Sequence, residues 1–234
     1  MVHSTSNASQ RLQLWAKTSQ DWTGRSGACY RYHPLLYHML DVAAVAGLVW
    51  DHCLGPGFRK RLECSLGSDA RAQVVFLAGA HDLGKASPGF QKKAPELSQL
   101  SGLQFSKNDQ NRPHGFISAH ILKDLLGSAS AVFAQIAGGH HGVFPRSAEL
   151  EMGRDTLGDR CWNEARHELI EEFARTVEFD LKQDAPSRSE ITDPAIVPIL
   201  AGFISVVDWI GSNQDFFPCA AECGIPLATT AAEY

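Results

Sequence analysis

The sequence predicts an all-α protein built as a single helical domain, and three observations predict it. Apolar residues recur at three- and four-residue spacing, as Val42, Val45 and Val49 do when counted from His38. Glycine and proline punctuate the chain between such segments, at Gly55-Pro56-Gly57, Gly84, Pro88, Gly138-Gly139 and Pro194. Strand-like alternation is scarce, and no internal repeat or low-complexity tract breaks the pattern. At 234 residues, with 44% hydrophobic and 20% charged residues, the chain can bury one substantial core.

The elements follow in order. Residues 1–32 are polar with Trp15 and Trp22 as large anchors, which predicts a short helix plus loop. His33-Pro34 opens the first strong helix, running to about Cys53, with proline suited to a first helical position. His38 lies on its apolar stripe, while His33, five residues away and about 140° around the axis, points elsewhere. Arg59-Lys60-Arg61 reads as a solvated helix surface. A buried helix from about Asp69 to Leu83 carries His81 and Asp82 in its last turn, and Gly84 ends it. Ser87-Pro88 caps a short helix to Lys93, and residues 95–112 read as a polar loop.

Further helices are expected over His114–Leu126 and Ala129–Ala137, the latter stopped by Gly138-Gly139 just before His140-His141. A long amphipathic helix spans about Asp159 to Asp180. After a polar loop, Pro194 to about Ile210 forms the last buried helix, with Val197, Ala201, Ile204 and Asp208 on one stripe. The tail from Phe216 reads as a boundary, which divides the chain into a domain over 1–218 and a linker over 219–234.

Composition narrows the function classes. No segment reaches the ~18 uninterrupted apolar residues of a membrane span, and Met1–Gln20 lacks the apolar core of a secretory signal, so a cytoplasmic protein is expected. The six cysteines read as free thiols in a chain too large to need stapling; Cys219 and Cys223 lack a second pair at zinc-finger spacing. A net charge of −5 supplies no basic face, so a polyanionic substrate would have to be drawn by a metal centre or by another domain.

The chemistry concentrates at Ala80-His81-Asp82-Leu83-Gly84-Lys85, which ends the apolar run Val74–Gly79. A buried His-Asp pair is expensive unless something binds it. His38, His114, His140, His141 and Asp208 also sit at helix ends or on buried stripes. Singly, each would pass as a hydrogen-bonded core residue. Together, five histidines and two aspartates have too few partners among themselves, and two transition-metal ions would satisfy all seven. His120 points about 240° round its helix from His114, and His3, His52 and His167 lie in polar or terminal surroundings. Gly79 to Ala86 nearly spells a phosphate-binding P-loop, but Ala86 stands where Ser or Thr must hold magnesium.

His38, His81-Asp82-Leu-Gly-Lys85, His114-Gly115, His140-His141-Gly142 and Asp208-Trp-Ile-Gly-Ser212-Asn213, in this order, resemble the HD-superfamily phosphohydrolases. More narrowly they are similar to the N-terminal HD nuclease domain of the CRISPR-associated type I nuclease–helicases, over about residues 20–218. One departure is Gly211, where that motif often carries alanine. The resemblance implies an all-helical domain around a dinuclear centre that cuts single-stranded DNA in CRISPR interference, by two-metal activation of a bridging water. It implies one metal on His38, His81, Asp82 and Asp208, and a second on His114, His140 and His141, with Asp82 bridging and catalytic. A His-rich shell favours Mn, Fe, Co, Ni or Zn over Mg. The two ions would leave the pocket net positive despite the acidic chain. Lys85 either neutralises the phosphate or caps its helix in solvent; Ser212 and Asn213 either orient substrate or cap the last helix. The implied partners are single-stranded DNA, a fused or separate helicase domain, which this chain does not include, and a guide-RNA effector complex. The alternatives are a phosphohydrolase of small nucleotides and a non-catalytic docking module that keeps metal for folding.

Overall fold

The computed structural model describes residues 13–19, 31–127, 131–181, 191, 193–222 and 234. Its centre is α1 (Leu35–His52), which buries Leu35, Leu36, Met39, Val42, Val45, Ala46 and Trp50 around most of its circumference. A helix apolar on so many sides must be surrounded. Against it lie α3 (Ala70–Ala80) and α10 (Ile196–Gly211), after α2 (Pro56–Leu66) has reversed the chain with Gly55 as N-cap and Pro56 at the first helical position.

The short α4 (Pro88–Gln91) and α5 (Pro95–Ser98) lead to α6 (His114–Leu126), which packs on α7 (Ala131–Gly138). The four-residue α8 (Arg154–Leu157) precedes α9 (Arg160–Thr176), which buries Trp162, Ala165, Leu169, Ile170 and Phe173 on one stripe. Asp159 caps α9 by accepting from the Cys161 and Trp162 backbone N–H groups. Each large apolar side chain so buried contributes ~1.5–3 kcal/mol before entropy is counted. Among the described residues no helix is long and apolar enough to cross a membrane.

Three short strands accompany the helices and correct the reading of the chain's first third. β1 (Trp15–Thr18), β2 (Arg31–Pro34) and β3 (Ala221–Glu222) form an antiparallel sheet in the order β1-β2-β3. Residues 15–18 are therefore strand rather than helix, and His33 and Pro34 end β2 instead of opening α1. Runs of four residues are too short to show alternation. Their stabilising partners lie far off: Gln91 accepts from the Trp15 N–H at 3.2 Å and donates to the Trp15 carbonyl at 2.9 Å, standing in for another strand. The expected loop over 95–112 contains α5 and a 3-10 turn, Gln99–Ser101. The stretch read as a tail holds β3 and the buried Cys219; Cys223 and Trp22 lie outside the described residues.

Candidate metal centre

Five elements deliver the polar side chains to one place. His38 projects from the middle of α1, His81 and Asp82 follow directly on α3, His114 starts α6, His140 and His141 follow α7, and Asp208 lies in the last turn of α10. The 3-10 turn that follows α3, Leu83–Lys85, nests against the start of α6. A Cβ on Gly84 would run into the His114 carbonyl, and the Gly84 N–H donates to Ser118 Oγ at 2.8 Å. This segment is a helix end and a packed turn, not a loop wrapped round a phosphate, which disposes of the P-loop likeness.

The seven residues fall into two groups, His38, His81, Asp82 and Asp208, and His114, His140 and His141. In each, one donor atom per residue lies within 4.8 Å of all the others. In the first group His38 Nε2 is 2.9 Å from Asp82 Oδ2 and 3.4 Å from Asp208 Oδ1, and His81 Nε2 is 3.6 Å from both of those oxygens. In the second, His114 Nε2 and His141 Nε2 are 3.0 Å apart. Asp82 faces both: its Oδ2 turns to the first group, and its Oδ1 lies 3.1 Å from His114 Nε2. In the first group His38, His81 and Asp82 are buried and Asp208 half-buried; in the second His140 is buried, His114 partly exposed and His141 exposed, so that group opens further to solvent.

The donor set fits divalent metal. His81 Nδ1–H donates to the Ala78 carbonyl at 2.6 Å, and His140 Nδ1–H likewise to Ala137, each from three residues on. That fixes which nitrogen carries the proton and turns Nε2 into the centre. His81 Nε2, His140 Nε2 and Asp82 Oδ1 are all buried without a hydrogen-bond partner, a costly condition that a cation in their midst would relieve. Burial lowers the His140 imidazole to about 3, helped by His81 beside it, and burial followed by His114 lowers His141 too. Both rings are thus neutral, as ligands must be.

The acids are charged. Burial alone would raise the Asp82 carboxyl, but Lys85, His81 and His114 overcome it and hold the group well below the usual carboxylate range. Asp208 follows the same course, its burial outweighed by the rings of His38 and His81 beside it. Lys85 Nζ lies 2.6 Å from Asp82 Oδ2 with its side chain mostly enclosed, so it is no solvent-facing cap. Burial also opposes charge on His81, yet Asp82 and Asp208 together raise it above an ordinary imidazole.

Three serines support the ligands, and of these only Ser212 belongs to a motif quoted above. Ser212 Oγ donates to Asp208 Oδ1 at 2.9 Å, Ser118 Oγ donates to the His114 carbonyl at 3.0 Å, and Ser205 Oγ donates to the His140 carbonyl. Ser212 and Ser118 each lie four residues beyond the ligand they serve, a helical spacing that could have found them. His120 turns away as its position implied and donates from Nδ1 to the Leu150 carbonyl at 2.7 Å. His52 and His167 are exposed, His33 pairs with Asp41 at 2.7 Å, and His3 lies outside the described residues.

A family model described as Cas3, HD domain, matches residues 15–217. The chain is 33% identical over 221 residues to the CRISPR-associated endonuclease/helicase Cas3 of Thermus thermophilus, covering 88% of this chain and 23% of that one. With the CRISPR-associated nuclease/helicase Cas3 of Streptococcus thermophilus it shares 26% identity over 242 residues, covering 88% and 25%. It thus spans about a quarter of the length of these relatives. A crystal structure of a CRISPR-associated protein superposes with a TM-score of 0.80 at 31% identity, over 97% of this chain and 26% of the other. The Thermus thermophilus cas3 HD domain, crystallised in the presence of Ni2+, superposes with a TM-score of 0.63 at 30% identity, over 91% and 81%. With four helix ends converging on these histidines and aspartates, and a family match across most of its length, the chain belongs to the Cas3 HD domain family.

Proposed function

We propose that this chain is a metal-dependent endonuclease domain that cuts single-stranded DNA in CRISPR interference. The observation that carries the reading is Asp82, whose two oxygens face two separate groups of ligands. His38, His81, Asp82 and Asp208 would hold one divalent ion, and His114, His140 and His141 another, with Asp82 between them. Bound ions of this kind supply positive charge for a phosphodiester and acidity that makes water a nucleophile near neutral pH. The relatives named as nucleases and the neighbour crystallised with Ni2+ support that reading.

The chain's own residues divide the remaining work. The neutral rings of His140 and His141 leave the centre's charge undiminished, and the partly open His114–His141 side admits the scissile backbone. Lys85 holds Asp82 anionic and brings an ammonium to within reach of the phosphate. Ser212 steadies the Asp208 carboxylate. Residues 219–234 mark the boundary toward a helicase domain, fused or separate, and a guide-RNA effector complex would deliver the strand.

The test is cleavage of circular single-stranded DNA by the purified chain loaded with manganese or nickel. The expected result is cutting that Asp82→Asn abolishes and that Asp124→Asn, on the outer face of α6, leaves intact. Turnover of mononucleotides with no attack on the circle would replace this reading with that of a small-nucleotide phosphohydrolase.

A further inference from the structure

A second concavity lies between α6 and α9, with a volume of about 160 Å3, several times the ~30 Å3 share of one water. His120, Ile121, Asp124, Asn163, Arg166 and His167 line it. Arg166 is only 3% exposed. Its Nη1 donates to the Ala86 carbonyl at 3.0 Å and the Leu157 carbonyl at 2.8 Å, and its Nη2 donates to Asn163 Oδ1.

Those bonds use three of the five guanidinium hydrogens. The remaining two, on Nε and Nη2, are donors that can meet two oxygens of a tetrahedral or planar anion. Among the described residues no carboxylate pairs with Arg166, and burial without such a partner pulls the guanidinium down to about 10. A cation so enclosed needs opposite charge, and carbonyl dipoles supply part of it. Asp124, also on the wall, is not that partner. Its side chain is 70% exposed and leans on His120 Nε2 at 3.4 Å.

We propose that this cavity is an oxyanion site that takes a phosphate group, gripped by the remaining donors of Arg166, with His167 at its mouth. The ligand is inorganic phosphate or a terminal phosphomonoester. The site is separate from the metal centre and independent of the nuclease reading. It touches that centre through one segment: Arg166 holds the Ala86 carbonyl, and Ala86 follows Lys85, the partner of Asp82.

The experiment titrates inorganic phosphate into the manganese-loaded chain, reading the thermal midpoint and the 31P linewidth, with Asp82→Ala run in parallel. The expected result is a saturable rise in midpoint and a broadened phosphate line, both retained in Asp82→Ala. His167→Glu, an exposed change that spares the core, should weaken binding about tenfold, and Arg166→Gln should abolish it if that variant folds. A 5′-phosphorylated dinucleotide that shifts the midpoint more than its unphosphorylated form identifies a terminal phosphate as ligand; a response to inorganic phosphate alone identifies the free anion. Absence of any saturable response, equal binding by His167→Glu, or loss of binding in Asp82→Ala would overturn the proposal.

Discussion

The rings of His81 and His140 meet edge to face, their centroids 4.6 Å apart and their planes at 83°. Each is fixed from behind by an Nδ1–H donated to the carbonyl three residues earlier, one at the end of α3 and one at the end of α7. The two helix ends thus present matching imidazoles side by side, one to each group of candidate ligands. Loss of either ring should therefore remove one metal and spare the other. Metal analysis of His140→Ala and of His81→Ala is expected to find about one ion per chain in place of two.

Ser212 makes a smaller but separable contribution. Removing its hydroxyl leaves the Asp208 carboxylate without the hydrogen bond that orients it. Partners of this kind are typically worth ~10–100-fold in metal affinity, while a single neutral hydrogen bond is worth only ~0.5–1.5 kcal/mol of stability. Ser212→Ala is expected to weaken metal binding within that range and to lower the melting midpoint only slightly, as read by competitive chelation and calorimetry.

Gly211 explains its own departure from the family motif. A Cβ there would lie 2.8 Å from Val42 Cγ2 and 3.3 Å from the Val42 backbone nitrogen and Cα, so α10 can approach α1 only without a side chain. Overpacking of this sort costs ~1–3 kcal/mol. Gly211→Ala should destabilise the protein by about that amount in denaturant unfolding, and adding Val42→Ala should recover part of the loss. Full additivity of the two losses would contradict the contact.

His33 sets part of the acid stability. Burial lowers its pKa, and the hydrogen bond with Asp41 offsets this only in part. The unfolded chain takes up a proton near pH 6.5 that the folded chain refuses, so this group's contribution is complete above ~6.5 and is lost as pH falls. His33→Gln is expected to flatten the decline in unfolding free energy between about pH 6.5 and 5. An unchanged slope would show that the pair does not resist protonation.

Much of the centre was legible because metal ligands must be odd residues in apolar company, and sequence displays that directly. His114 to Leu126 matched α6 at both ends, since Pro113 precedes it and Gly127 follows. Helix periodicity also placed Asp208 and His38 on inward stripes. What stayed hidden depends on partners distant in the chain. Nothing near Trp15 announces that Gln91, 76 residues on, will complete its strand, and nothing near Arg166 announces the Ala86 carbonyl. Ser118 fell between, visible only once the ligand it supports was known, and Ser212 was singled out for substrate or helix cap rather than for Asp208. Lys85 could not be decided either, because enclosure depends on how closely α6 approaches the turn that carries it.

The strand order has a mechanical consequence. Tension applied to the chain beyond Glu222 is delivered first to Arg31 and Tyr32, the two residues that β3 pairs with. β2 runs straight on into α1 and hence to His38, while the segment before β3 runs back to α10 and hence to Asp208. The little sheet therefore couples a pull on this edge of the molecule to both helices, each of which carries a member of the buried His/Asp group.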